Sequence, residues 1–88
     1  MSWRVNLSKT AEKQFNKLDK PVKQAAESLF DRLESLQDIR SIGHALTGPL
    51  SGYWTYVIHG DWRAVADFEN KALIVTILKI AARDKVYK

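Results

Sequence analysis

No cysteine occurs among the 88 residues. That removes disulfides, thiolate nucleophiles and the common zinc-ligand sets together, and it suits a reducing compartment. Long apolar runs are also missing. The N-terminal MSWRVNLSKTAEK has no signal-peptide core and no stretch approaches a membrane span, so a cytoplasmic chain is expected. Proline is scarce, with two residues, and glycine has four, of which Gly43, Gly48 and Gly52 fall close together with Pro49. Nothing reads as an interdomain linker, an internal repeat or a low-complexity tract, and a chain this short builds one modest core. Residues 1–88 are therefore expected to form a single domain. No cofactor and no metal are expected.

Hydrophobic residues at 45% and charged residues at 27% give an ordinary globular balance. The formal net charge of +4 favours nucleic acid or an acidic protein as partner without separating the two. Its distribution is more informative. Between positions 79 and 88, Lys79, Arg83, Lys85 and Lys88 stand against Asp84 alone, whereas between positions 51 and 69 Arg63 faces Asp61, Asp67 and Glu69. Positive potential collects at the C-terminal end.

Residues 2–7, SWRVNL, alternate Trp3, Val5 and Leu7 with polar neighbours, the period of a half-buried strand. Ser8 is placed to cap a helix carrying Ala11, Phe15 and Leu18 at helical spacing, with Glu12 in the first turn. Asp19 and Pro21 open a second helix, in which Val22, Ala25, Ala26, Leu29, Phe30, Leu33 and Leu36 make one apolar stripe. Two helices joined this tightly form an antiparallel hairpin. Positions 37–52 read as a loop. YWTYVI, WRAVADF and ALIVTILKI then follow with turns at His59-Gly60-Asp61 and Glu69-Asn70-Lys71, a three-stranded antiparallel meander. The expected fold is α+β, in the order β-α-α-β-β-β, with a helical hairpin on one face of a four-stranded, mostly antiparallel sheet.

A hairpin centred on Gly60 puts Trp54, Tyr56 and Ile58 on one face with Trp62, Ala64, Ala66 and Phe68, an apolar set that belongs under the helices. Trp54 and Trp62 are thus core rather than a base-stacking platform. Thr55, Val57, Arg63, Val65 and Asp67 take the other face. The last strand, Leu73 to Ile80, is apolar on both faces and is expected in the sheet interior. Its exit brings Arg83, Lys85 and Tyr87 toward the face that carries Arg63, and a cationic hollow results. Taken alone, Arg63 reads as a surface arginine paired with Asp61 or Asp67, worth under about 1 kcal/mol. His44 and His59 read as exposed loop and turn residues, His59 retaining interest because histidine transfers protons near neutral pH.

The order of elements and four segments resemble the RelE/ParE superfamily of bacterial toxins, RelE branch. The segments are Leu46-Thr47-Gly48, Gly52-Tyr53-Trp54, Gly60-Asp61-Trp62-Arg63, and Ala81-Ala82-Arg83-Asp84-Lys85-Val86-Tyr87. The resemblance covers nearly the whole chain. It implies a type II toxin acting as a ribosome-dependent endoribonuclease, which cuts mRNA in the A site without a metal by attack of a ribose 2′-hydroxyl. It implies Arg63, Arg83 and Tyr87 as catalytic residues: a phosphate clamp, a transition-state stabiliser, and an acid/base or stacking group. Lys79 and Lys85 would attract the RNA backbone. Two family features are replaced, since Thr55 and Val57 stand where basic strand residues are common and Ala82 stands where a histidine precedes the closing arginine. The implied partners are a cognate antitoxin, the ribosome and mRNA. A ParE-like toxin that inhibits DNA gyrase without catalysis, or an impaired member acting only in a repressor complex, stays open.

Overall fold

In a computed structural model, the structure describes residues 2–86. The elements run β1 (Arg4–Leu7), α1 (Lys9–Asn16), α2 (Lys20–Ser35), β2 (His44–Ala45), β3 (Trp54–His59), β4 (Trp62–Glu69), β5 (Ile74–Ala82) and α3 (Arg83–Val86). The sheet order is β1-β5-β4-β3-β2, with β1 parallel to β5 and the other neighbours antiparallel. The α+β architecture and the interior position of β5 follow the sequence reading. Two details correct it. The sheet has five strands, because His44 and Ala45, inside the expected loop, pair with Thr55 and Trp54. The basic end begins as one helical turn, α3, rather than as a plain strand exit.

Ser8 caps α1 as its sequence position predicts: its hydroxyl oxygen accepts from the Ala11 amide at 3.1 Å. The same hydroxyl donates to the Leu78 carbonyl at 2.9 Å, and Gln14, two turns on, accepts from the Ile80 amide at 2.6 Å. Pairing of β1 with β5 stops at Ile77, so α1 satisfies backbone groups of β5 where the partner strand has ended. Phe15 and Phe30, with ring centroids 5.9 Å apart, join the two helices, and Lys23 lies over the Phe15 ring.

The core lies between the helices and one sheet face. Tyr56, Ala64, Ala66, Val75, Ile77 and Ile80 meet Ala11, Leu18, Val22, Ala26 and Leu33, with Trp54, Ile58, Trp62 and Phe68 packed around them. Ala11, Ala26, Ala64 and Ala66 are all fully buried, so helices and sheet meet through small side chains and a larger residue at any of the four would overpack the contact. Among the described residues, no helix is long and apolar enough to cross a membrane.

The loop after α2 is held from the sheet side by three aromatic residues. The Trp3 indole donates to the Gln37 carbonyl at 3.2 Å, the Tyr56 hydroxyl to Ile39 at 2.7 Å and the Trp54 indole to Ile42 at 2.8 Å. Ile39 is itself fully buried, and the Arg40 guanidinium covers the Phe68 ring at 4.6 Å. Gly43 follows with φ of +79°. A Cβ there would sit 2.6 Å from Trp54 Nε1 and 2.7 Å from Tyr56 Cδ1, and against the Thr55 carbonyl oxygen. Both backbone conformation and space therefore require glycine.

Gly43→Ala is expected to lower stability by about 2–4 kcal/mol in urea unfolding, because it adds steric overlap to left-handed strain. Gly48→Ala, with φ of +66° but open space around it, should cost about 1 kcal/mol. Equal losses would mean that space at Gly43 is not limiting. Tyr56→Phe leaves the Ile39 carbonyl without its donor and is expected to cost about 1–3 kcal/mol. Burial pushes the Tyr56 phenol well above its ordinary range. The unfolded chain therefore releases that proton first as pH rises, and wild-type stability should fall above about pH 10. Tyr56→Phe should flatten that decline in a pH series of denaturation midpoints.

Candidate functional site

Arg63 lies near the start of β4, three residues after the hairpin glycine. The β4–β5 register opposes Arg63 to Ala81, Ala64 to Ile80 and Val65 to Lys79. Opposed residues of an antiparallel ladder share a face. Ala64 and Ile80 are buried under the helices, so Arg63, Ala81 and Lys79 belong to the opposite face. A bulge brings this about. Between Val65 and Ala66 the pairing jumps from Lys79 to Ile77, and Leu78 is the extra residue. In an unbroken strand with Val75 and Ile77 inward, Lys79 would also point into the core. The bulge reverses the phase, and Ile80 replaces it there.

Arg63 is half-buried. Its Nη1 donates to the Gly60 carbonyl at 2.5 Å and to the Trp62 carbonyl at 3.1 Å, so the hairpin backbone is its partner in place of the Asp61 or Asp67 pairing that the sequence taken alone favours. A guanidinium carries five donors in a fixed fork, and the contact through Nη1 orients the group without consuming it. Arg83 is exposed and opens α3 two residues beyond Ala81, and its amide donates to the Asp61 carbonyl at 2.7 Å. The backbones of Arg83 and the β3–β4 hairpin are thereby tied together at the end of the sheet where Arg63 stands.

Lys79 reaches along this end of β5, and its ammonium donates to the Lys85 carbonyl at 3.1 Å. A cation at the carbonyl end of a helical turn is favourably placed. Lys79 is thus a strut under α3 as well as a positive charge on the face of Arg63. The Lys85 side chain is exposed and borders a hollow of about 330 Å³ with Gln14, Lys17, Leu18 and Trp62, to which Arg63 does not contribute. Tyr87 lies outside the described residues.

Thr55 is buried and Val57 is 52% exposed, so these two positions of β3 sit in contrasting surroundings. His44 and His59 are both exposed as expected, but His44 lies in β2 and His59 ends β3, rather than in a loop and a turn. Among the described residues, no group of three or more His, Cys, Asp or Glu side chains is gathered closely enough to hold a metal ion. The structure also brings forward residues that the sequence reading did not single out as tied to this end of the sheet: Gln14, which bonds the Ile80 amide beside Ala81, and Asp61, whose carbonyl anchors Arg83. Neither bond leaves a local signal in the sequence, since each joins segments more than twenty residues apart.

The family model described as the ParE toxin of the type II toxin–antitoxin system, parDE, matches residues 5–87. Among solved structures, a chain of the toxin–antitoxin complex RelBE2 from Mycobacterium tuberculosis is similar with a TM-score of 0.81 at 20% identity, covering 94% of this chain and 100% of that one. A chain of the archaeal RelE–RelB complex from Pyrococcus horikoshii gives 0.74 at 26% identity, over 97% and 99%. One from the intact RelBE toxin–antitoxin complex of E. coli gives 0.67 at 17% identity, over 92% and 96%. No curated protein matches in sequence. With the family model spanning all but the first few residues and the last, and this fold beneath it, the chain belongs to the ParE toxin family of type II toxin–antitoxin systems.

Proposed function

We propose that this toxin is a ribosome-dependent endoribonuclease that cuts mRNA in the A site without a metal. The observation that carries the reading is the common face of Arg63 and Lys79 on β4 and β5, with Arg83 following at the strand end. Arg63 and Lys79 on one face, with Arg83 next along the chain at the strand end, is an arrangement that suits a phosphodiester.

In the proposed reaction a ribose 2′-hydroxyl gives up its proton and attacks the adjacent phosphorus. The O2′–P bond forms, the bond to the 5′-oxygen of the next nucleotide breaks, and that oxygen takes a proton as it leaves. The products are a 2′,3′-cyclic phosphate and a 5′-hydroxyl. Negative charge grows on the non-bridging oxygens, and positioned guanidinium donors stabilise it. Arg63, oriented by the hairpin carbonyls, serves as the phosphate clamp and Arg83 as the transition-state donor. Lys79 attracts the RNA backbone and supports α3, Lys85 adds to the same attraction, and Tyr87 is assigned to proton transfer or base stacking. The partners are mRNA on the ribosome and a cognate antitoxin. Resemblance to chains solved as toxin–antitoxin complexes supports the latter.

A second reading, non-catalytic inhibition of DNA gyrase, draws support from Thr55, Val57 and Ala82, because a site without those basic groups has fewer ways to move protons. The two separate on expression in bacteria. The ribonuclease reading expects growth arrest with cuts inside translated messages by primer extension, and about a hundredfold slower cutting in Arg63→Ala and in Arg83→Ala. Arrest with intact mRNA and induced DNA-damage signalling would select the gyrase reading. Lys79→Ala is expected to reduce cutting by about tenfold or less, while speeding amide exchange across residues 83–86 as α3 loses its strut. Unchanged exchange would leave Lys79 no supporting role.

A further inference from the structure

The sheet face turned away from α1 and α2 has a sunken floor. Thr55 and Val65 oppose each other on it and both are buried, although the helices cover the other face, so the taller side chains around them stand above the centre. Val57 and Arg63 oppose each other at one end of this floor, with Lys79 beside Val65. The other end belongs to Tyr53. Its carbonyl accepts from the Leu46 amide at 3.0 Å, so the ladder of β2 and β3 runs one position past Trp54, and alternation places the Tyr53 side chain with those of Thr55 and Val57. One step beyond the Trp54–Ala66 pair, it comes alongside Asp67, whose carboxylate accepts from the Phe68 amide at 2.9 Å.

Tyr53 and Val57 are the two large apolar side chains exposed among the described residues, and both stand on this face. The Tyr53 backbone is fixed on both sides, since its amide also donates to the Leu50 carbonyl at 3.1 Å. A ring mounted in this way loses little freedom when it binds. Leu46 and Leu50 wall a hollow of about 320 Å³ with Ala45, Thr47 and Pro49, a lining without a charged residue. The ring thus has uncharged loop residues on one side and Asp67 on another, while the cations lie at the far end of the floor, four strand residues or about 13 Å away. A nucleic-acid strand crossing this face is oriented by that polarity. Its phosphate belongs at Arg63 and Lys79, the Asp67 carboxylate repels phosphate from the far end, and a base is what can approach there.

We infer that Tyr53 is a base-stacking residue of the proposed RNA site, its ring taking the base of a nucleotide that flanks the scissile phosphate and so fixing where the strand is held. Every base has a π-face, so the contact adds affinity with little sequence preference. The inference rests on the ribonuclease reading and adds to it a substrate-binding residue at the end of the face remote from Arg63.

The test uses ribosomes programmed with a message that carries 2′-deoxyribose throughout the A-site codon, which cannot react, and measures binding of the full chain beside cutting of the unmodified message. Tyr53→Ala is expected to weaken binding about tenfold and to raise by the same factor the ribosome concentration that half-saturates cutting, with the saturated rate unchanged. Tyr53→Phe should match wild type, because stacking uses the ring and not the hydroxyl. Tyr53→Leu, which keeps an apolar side chain on the strand, should fall with alanine. Replacing bases of the message one at a time by abasic residues should, at one position, remove the difference between wild type and Tyr53→Ala. Equal losses in the Phe and Ala variants, or a difference that survives every abasic replacement, overturns the inference. So does weaker binding of Tyr53→Ala to ribosomes that carry no message, which would assign the ring to the ribosome itself. The two proposals fail separately: a chain that cuts mRNA whatever residue stands at position 53 sinks the stacking role alone, and one whose binding depends on Tyr53 without any cutting sinks the catalytic proposal alone.

Discussion

The polar tips of Trp3, Trp54 and Tyr56 govern how this small domain closes. Each contributes a large apolar body to the core and one donor at its end, and the three donors fall on carbonyls of Gln37, Ile42 and Ile39. A loop of this kind would otherwise bury unsatisfied backbone, at about 1–3 kcal/mol for each orphaned group. With those carbonyls satisfied, Ile39 can be fully buried and Gly43 can pass within contact of Trp54 and Tyr56. The course of β2 along β3 follows from that passage, and so does the point at which β2 leaves the edge.

A second constraint acts at the other end of the sheet. β1 is short, and α1 takes over its role along β5 through Ser8 and Gln14. This keeps β5 extended to Ala82 although its parallel partner ends opposite Ile77. The extension carries Ala81 past Arg63 and delivers the Arg83 amide to the Asp61 carbonyl. The cationic end of the molecule is therefore assembled by backbone pairing and an edge seal. Its charges are held by carbonyls: Arg63 by Gly60 and Trp62, Lys79 by Lys85. Such contacts orient each cation through a neutral carbonyl oxygen.

The two long sides of the sheet differ in consequence. The β5 side is sealed by side chains reaching from a helix, whereas the β3 side stays open beyond Thr55 with an exposed valine and an arginine-marked groove beside it. A chain of this size has too few residues to cover every edge.

Sequence periodicity alone determined much of this protein. Alternation in SWRVNL and in the meander, the apolar stripe of α2 and the cap at Ser8 specified the elements, their order and the face that goes under the helices, because each depends on local spacing. The positions of Arg63 opposite the core face and of Trp54 and Trp62 within it were legible for the same reason. Tertiary structure decided the rest. The phase of Lys79 depends on a bulge opposite Val65, and a bulge is a compromise between two strands that neither sequence carries by itself. The strand at His44 and Ala45 depends on aromatic donors holding the chain ahead of it, and the union of Arg83 with the β3–β4 hairpin depends on how far β5 runs. Faces are set by neighbours along the chain, but convergence is set by pairing between distant segments, and only the folded molecule supplies that.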